Sequence, residues 1–229
     1  KGLVKYAKPA GVIASLIPMT NPAMTPPVTG VSSANARNAV IFSPHPRTAG
    51  TTFEMVEMMR KACVAVGAPA DLFQAVRYPS IPLTQHLMEE CDLTLATGGK
   101  PMVKAAYSSG RPAYGVGAGN SSIVIDETAD IEIAAANTRV SKTSDFGSGC
   151  SADGNIIIQR SIYDQMVAAL EAEGGYLCNA EEKALLEAAM WDEKGNRTFP
   201  TIACKPQQTA DVAGFTIPQD RKFLMVENQ

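Results

Sequence analysis

The sequence predicts an α/β protein in which a mostly parallel sheet is flanked by helices. Short apolar runs of the kind that form buried strands alternate along the chain with segments whose apolar residues recur at helical spacing. The predicted strands are GVIASLI (11–17), AVIFS (39–43), LFQAV (72–76), LTLAT (93–97), AYGV (113–116), SIVI (122–125) and NIIIQ (155–159). Such alternation is typical of βαβ units. We therefore predict a Rossmann-like sheet in the first half of the chain.

The helical patterns divide the chain into two parts. The predicted helices are residues 50–67, 84–91, 99–109, 129–143, 161–174 and 180–190. The regular alternation of short strands and helices changes after Gly119, and the predicted helix over 129–143 ends shortly before Cys150. We expect residues 1–128 to form one domain and residues 129–229 to form the first part of a second α/β domain.

Composition narrows the class of protein. The chain has 229 residues, 45% of them hydrophobic, which is enough to bury a sizeable core. The net charge is -3, without a basic stripe that would favour nucleic acid, and no apolar run is long enough to cross a membrane. Five cysteines are scattered without a C-x-x-C pair, so we expect neither a metal site nor a disulfide framework. Unpaired cysteines are typical of a reducing compartment, so we expect a cytoplasmic location. Both ends lie in strand-like patterns, so we expect a fragment of a longer protein.

Three loops follow predicted strands at the edge where an open parallel sheet binds ligands. They are PMTNP after the first strand, PHPR after the second and GGKP after LTLAT. In the last loop Thr97, Gly98 and Gly99 precede a helix, whose first N–H groups could bind a pyrophosphate. The loop lacks the G-x-G-x-x-G pattern, so a simple tight turn is the alternative.

The loop after the second strand contains His45, Pro46 and Arg47. Arg47 could pair with a phosphate, and His45 could contact a ribose or only fill a polar gap. The other histidine, His86, lies in a helical pattern and is expected on the surface.

Cys150 lies in SDFGSGCSADG, a run of small and polar residues. A nucleophilic thiolate needs space for a substrate and free N–H groups nearby, and this setting offers both. No histidine is close in sequence. The alternative is a small buried thiol at a tight turn.

Several stretches together resemble one family. GVIASLIPMTNP, NAVIFSPHPR, ATGGKPMVKAAYSSGRPAYGVGAGNSSIVIDETADI and KTSDFGSGCSADGNIII are similar, in this order, to the CoA-acylating branch of the aldehyde dehydrogenase superfamily. The resemblance implies that Cys150 attacks an aldehyde, that hydride passes to NAD or NADP, and that coenzyme A takes the acyl group from a cysteine thioester. It also implies a homo-oligomer, an N-terminal part missing from the dinucleotide-binding domain, and a location in the cytoplasm or in a bacterial microcompartment.

Two departures from the hydrolytic branch are informative. That branch has a water-activating Glu where this sequence has GVGAGN, so Val116 and Gly117 supply no carboxylate beside the expected cofactor site, and transfer to CoA is favoured over hydrolysis. The oxyanion-binding Asn of that branch corresponds to Thr20, and Asn21 follows it. Either side chain is therefore a candidate oxyanion donor.

The residues around the nucleophile suggest the kind of aldehyde. Ser148, Gly149 and Ser151 form a small polar rim, which favours a polar-headed substrate such as sulfoacetaldehyde or succinate semialdehyde. The alternative is that they only shape the turn. A hydrolytic aldehyde dehydrogenase and a non-catalytic nucleotide-binding module are the other functions that the sequence leaves open.

Overall fold

The computed structural model describes residues 2–117 and 119–228. The chain divides into two compact units, residues 1–118 and 119–229. The division comes earlier than the predicted boundary at 128/129 because β6 (Ser121–Ile125) pairs with β7 (Asp153–Ile158) of the second unit. Within the described residues, no helix is both long and apolar enough to cross a membrane.

The first unit contains a five-stranded parallel sheet in the order β3-β2-β1-β4-β5. The strands and helices are β1 (Val12–Ile17), α1 (Thr25–Asn35), β2 (Ala39–Pro44), α2 (Ala49–Ala65), β3 (Phe73–Ala75), α3 (Ile81–Glu90), β4 (Leu93–Thr97), α4 (Lys100–Tyr107) and β5 (Ala113–Val116). This order and the flanking helices confirm the predicted fold. Each predicted strand of the sheet is present within a residue or two of its expected bounds.

The core of the first unit lies between the sheet and its helices. Its fully buried centre includes Ile17, Val40, Phe42 and Val56, and the ring of Phe73 packs against that of Phe42 with a centroid distance of 6.2 Å. Apolar residues fill the middle strands on both faces, as expected for a parallel sheet that is covered by helices. The packed strands hold the loops at their carboxyl ends in fixed positions.

The second unit contains two short parallel pairs, β6–β7 and β8–β9. Its remaining elements are α5 (Ile131–Thr143), α6 (Tyr163–Ala172), β8 (Gly175–Leu177), α7 (Ala180–Met190), α8 (Pro206–Ala213) and β9 (Phe223–Met225). One core cluster joins Ile125, Ala135, Met166, Leu170 and Phe223. Helix α5 therefore rests on packed strands and on α6, and its last turn leads into the Cys150 loop.

Candidate functional site

The first group of candidate residues lies at the carboxyl edge of the five-stranded sheet. In the order β3-β2-β1-β4-β5 the strands that follow β1 are added first on one side of it and then, from β4 on, on the other side. Open α/β sheets bind ligands at this switch point, between β1 and β4. Thr20 and Asn21 follow β1, and both are exposed. The Asn21 carbonyl accepts hydrogen bonds from the Thr25 amide and hydroxyl, which fixes the turn into α1.

The loop between β4 and α4 has the predicted strand–turn–helix form. Thr97 ends β4, and Gly99 is the N-cap of α4, with Pro101 in the first turn. A Cβ atom on Gly98 would lie 2.9 Å from Sδ of Met102, whereas one on Gly99 would meet nothing closer than 3.7 Å. A larger residue at 98 would displace the flexible Met102 side chain, whereas nothing within the chain crowds position 99.

A cavity of about 300 Å³ opens beside the ends of β2, α3 and α4. Its walls are mostly apolar, and its size suits a planar ring system rather than a whole dinucleotide. The lining residues are Ser43, Pro44, His45, Pro46, Pro79, Ser80, Ile81, Thr84, Gln85, Met88, Pro101, Met102 and Ala105. The PHPR loop and the helix after Gly99 therefore contribute to one cavity, although they were predicted as separate binding loops.

His45 has a defined orientation at the rim of this cavity. Its Nδ1 accepts a hydrogen bond from the Arg47 amide at 3.2 Å, so the neutral imidazole carries its proton on Nε2. Pro46 begins a short 3₁₀ turn, and Arg47 is exposed on it. His86 is exposed on α3, as predicted.

Val116 and Gly117 end the sheet at β5. Both are exposed, and the Val116 carbonyl accepts a hydrogen bond from the Gly98 amide at 3.1 Å. This bond joins the end of β5 to the loop after β4. Ala118 of the GVGAGN motif lies outside the described residues.

Cys150 lies in the second unit and is the only exposed cysteine of the five. It occupies the second position of a turn that the Ala152 amide closes on the Gly149 carbonyl at 3.0 Å. The turn leads into β7, where the Asp153 amide donates to Ser141 Oγ on α5 at 3.0 Å. The alternative of a buried structural thiol does not apply to Cys150.

An unusual backbone precedes Cys150. Asp145, Phe146 and Gly147 have φ values of 48°, 52° and 67°, so three successive residues are left-handed. A Cβ atom on Gly147 would lie 3.1 Å from the Lys142 carbonyl. This run turns the chain sharply at the end of α5, and such left-handed stretches of ordinary residues concentrate at functional sites.

Ser148 differs from its predicted role as a donor to substrate. Its hydroxyl donates to Asp145 Oδ2 at 2.7 Å and its amide donates to the Asp145 carbonyl at 3.1 Å. Both donors of Ser148 are therefore already bound. Within the described part of the chain, the amides of Gly149, Cys150 and Ser151 donate no hydrogen bond, so three consecutive N–H groups at the Cys150 turn have no acceptor.

The other cysteines have different environments. Burial and then the neighbouring acidic residues raise the pKa of Cys91, and burial and then Glu182 raise the pKa of Cys178 to about 11. Cys63 and Cys204 are half-buried. The two buried thiols are thus held protonated, which is the expected state of structural cysteines.

Lys142, at the end of α5, has an unpredicted neighbour. Burial lowers the pKa of its ammonium group, the Asp153 carboxylate opposes this shift, and Arg197 adds to the lowering. Arg197 itself lies over the Trp191 ring at 5.0 Å and donates to the Thr201 carbonyl. The sequence alone did not reveal that Arg197 is close enough to affect Lys142, because the two residues lie far apart along the chain.

The parallel sheet with its ligand-binding edge and the exposed Cys150 are typical of an α/β protein that binds a nucleotide, and comparison with known proteins identifies the family. Residues 2–177 match the model of the aldehyde dehydrogenase family, and the chain belongs to that family. The resemblance inferred from the sequence motifs is therefore confirmed.

Curated relatives narrow the branch. The chain is 45% identical over 231 residues to a sulfoacetaldehyde dehydrogenase of Acholeplasma, covering 99% of this chain and 48% of the relative. It is 41% identical over 229 residues to the bifunctional aldehyde–alcohol dehydrogenase of Escherichia coli K12, covering 99% of this chain and 26% of the relative. The chain thus spans at most about half the length of these relatives.

Solved structures agree with this branch. An acetylating aldehyde dehydrogenase from Geobacillus thermoglucosidasius matches with a TM-score of 0.92 at 39% identity, over 97% of this chain and 50% of that one. A propionaldehyde dehydrogenase from Rhodopseudomonas palustris, solved with CoA and an acylated cysteine, matches with a TM-score of 0.85 at 30% identity, over 97% and 51% of the two chains. An engineered glycolyl-CoA reductase solved with NADP⁺ matches with a TM-score of 0.86 at 30% identity, over the same two shares.

Proposed function

We propose that this chain carries the nucleophile and the cofactor-binding unit of a CoA-acylating aldehyde dehydrogenase that uses NAD or NADP. The observation that carries the proposal is Cys150, an exposed thiol at a turn in which the amides of Gly149, Cys150 and Ser151 donate no hydrogen bond to the described residues. A nucleophile and its oxyanion donors are the minimum that acyl transfer through a thioester requires.

The cavity of the first unit suits the adenosine of a nicotinamide cofactor. Apolar walls from Pro44, Ile81 and Met102 fit the faces of a purine, and the start of α4 offers N–H groups to the pyrophosphate. Thr97, Gly98 and Gly99, with His45, Pro46 and Arg47, are the residues that would hold it. When bound, the cofactor accepts the hydride that leaves the substrate carbon.

The chain's own chemistry begins at Sγ of Cys150. The thiolate adds to the aldehyde carbon, and the carbonyl π electrons move to oxygen, which the free amides around the turn stabilise. That Thr20 and Asn21 of the first unit are oxyanion donors stays a prediction from the sequence resemblance. Loss of hydride leaves a thioester on Cys150. The sulfur of CoA then attacks the acyl carbon, and the Cys150 thiolate leaves.

Transfer to CoA rather than to water follows from the residues at the end of β5. Val116 and Gly117 have no carboxylate that could activate water. A thioester also remains reactive toward a second thiol, which suits the transfer. Hydrolytic dehydrogenation is therefore the less favoured reading.

The aldehyde is proposed to carry a polar head. Gly149 and Ser151 keep their amides for the substrate, while Ser148 is bound to Asp145 and contributes shape only. A sulfonate or carboxylate is costly to desolvate without a cation. Lys142, three residues before the left-handed Asp145–Gly147 stretch begins, is the nearest cation in sequence. The sulfoacetaldehyde dehydrogenase relative supports this choice. A homo-oligomer in the cytoplasm or in a microcompartment remains part of the proposal.

The decisive experiment compares Cys150→Ala with Cys204→Ala, a half-buried thiol of the same unit, in the purified protein. Incubation with sulfoacetaldehyde or acetaldehyde, CoA and NAD(P)⁺ is followed by acyl-CoA detection. We expect Cys150→Ala to abolish the product and to leave cofactor binding within twofold, whereas Cys204→Ala should retain both. Full acyl-CoA formation by Cys150→Ala contradicts the proposal, and so does rapid release of free acid without CoA.

A further inference from the structure

Two neighbouring loops at the carboxyl edge of the sheet each contribute an arginine. In the parallel register Ala75 of β3 lies opposite Phe42 of β2, and the Val76 amide donates to the Phe42 carbonyl at 2.9 Å. Continuing this register by two residues brings Arg77 level with Pro44, which lines the cavity. Arg47 is exposed on the turn that follows the same end of β2.

The guanidinium group of Arg77 is positioned by two aromatic rings. Its Cζ lies 5.2 Å from the centroid of Phe53, on the second turn of α2, and 5.8 Å from that of Tyr78. No carboxylate among the described residues forms an ion pair with Arg77. Stacking occupies the faces of the group and leaves its N–H edge available for a planar or tetrahedral anion.

The charge around the cavity indicates what that anion is. In sheets of this order, a carboxylate near the end of the second strand binds the free ribose hydroxyl of NAD, whereas an arginine there accommodates a phosphate. No acidic side chain lines the described cavity, and β2 ends at Pro44, which His45 follows. The site is therefore built for a phosphorylated ribose more than for a free hydroxyl.

We propose that Arg77, together with Arg47, binds a phosphate monoester on the ribose of the adenosine that the cavity holds. The inference rests on the proposed function, because it takes the cavity as the adenosine site. Two ligands of that function carry such a group, the 2′-phosphate of NADP and the 3′-phosphate of CoA. Arg77 is then the residue that selects the phosphorylated ligand.

Calorimetric titration of the purified protein distinguishes the two sources. The probes are AMP, adenosine 2′,5′-bisphosphate and adenosine 3′,5′-bisphosphate. We expect at least one bisphosphate to bind about tenfold or more tightly than AMP, the effect of one charge-assisted contact. Tighter binding of the 2′ isomer assigns the group to NADP, and tighter binding of the 3′ isomer assigns it to CoA.

The variants test the arginine directly. Arg77→Gln should bring the bisphosphate affinity close to that of AMP and leave AMP itself within twofold, and Arg77→Lys should recover part of the difference. Arg37→Gln is the matched control, because Arg37 lies just before β2 and thus at the opposite edge of the sheet, about 20 Å away along the six-residue strand. It should change none of the three affinities.

Failure of the inference and failure of the proposed function give different results. If all three probes bind equally, or if Arg77→Gln lowers all three affinities alike, the phosphate contact is overturned and the adenosine site stands. If no probe binds the parent protein, the cavity is not an adenosine site and both proposals fail. Near-ultraviolet circular dichroism of each variant confirms that the rings around position 77 keep their packing.

Discussion

Gly115 offers a quantitative test of how the cavity is held together. It lies in β5 beneath α4, and a Cβ atom there would be 2.5 Å from Cγ1 of Val103 and 3.0 Å from Cε2 of Tyr107. Val103 is β-branched, so its rotamer on a helix is nearly fixed and the atom cannot swing away. The Tyr107 hydroxyl also accepts the Gly115 amide at 3.0 Å. In Gly115→Ala, α4 must therefore move off the sheet, at a cost of about 1–3 kcal/mol for overpacking.

Urea unfolding, followed by circular dichroism, measures this cost. The matched control is Gly117→Ala, two residues further along the chain, where the added Cβ would have its nearest neighbour at 4.0 Å. The double variant Gly115→Ala, Val103→Ala removes the opposing methyl groups and should recover stability beyond the sum of the single changes. Equal unfolding free energies for Gly115→Ala and Gly117→Ala would refute the packing argument. Since α4 also lines the cavity, AMP affinity should fall with Gly115→Ala.

Three further changes have defined outcomes. Asn38→Ala should lower the free energy of unfolding by about 1–3 kcal/mol, because Oδ1 of Asn38 accepts hydrogen bonds from the Ala10 amide at 2.6 Å and the Gly11 amide at 2.9 Å. An unchanged urea unfolding curve would contradict this. For Cys178, whose pKa is raised from 9.0 to about 11, the folded state holds the proton more tightly, so its stabilisation is complete below pH 9 and is lost as the pH rises through 11. Between pH 8 and 11 the free energy of unfolding of the parent should therefore fall by up to about 2–3 kcal/mol more than that of Cys178→Ala. Equal decreases in the two proteins would contradict this prediction. Gly99→Val should change stability by no more than about 1 kcal/mol, since its Cβ would meet only an ordinary contact at 3.7 Å. It should nevertheless weaken NAD(P)H binding in a fluorescence titration, and unchanged affinity would mean that no ligand approaches there.

The strands of the first unit were predictable because buried parallel strands leave continuous apolar runs. Helix α1 was not predicted, since TPPVTGVSSAN contains two prolines, a glycine and several β-branched or small polar residues. The prolines fall in the first turn, where a missing N–H is harmless. Gly30 is buried, and a Cβ there would displace the flexible end of Met59 and lie 3.4 Å from the Phe73 ring. Tertiary packing overrides local propensity here.

The candidate site was predictable only in part. Local sequence identified Cys150 and the strand-end loops, because Gly, Pro and small polar residues mark turns wherever they occur. It did not reveal that Asp145 binds both donors of Ser148, since that contact depends on a left-handed backbone in residues other than glycine. Arg77 directly follows a predicted strand, and this position was the one sequence signal that pointed to it. Its contact with Phe53 needs the folded α2.

The left-handed run before Cys150 sets a limit on engineering this protein for heat tolerance, if Cys150 acts as proposed above. Asp145 and Phe146 each hold a conformation that costs an ordinary residue roughly 1 kcal/mol or more, and Phe146 is half exposed, so little packing offsets it. Phe146→Gly would be an obvious choice in any search for a higher Tm, because glycine adopts this backbone without strain. The same glycine would widen the range of conformations open to the turn that presents Cys150 when no substrate is bound. At this position, selection for thermal stability therefore opposes selection for turnover. A library screened only for thermal stability would be expected to accumulate stable variants that react slowly.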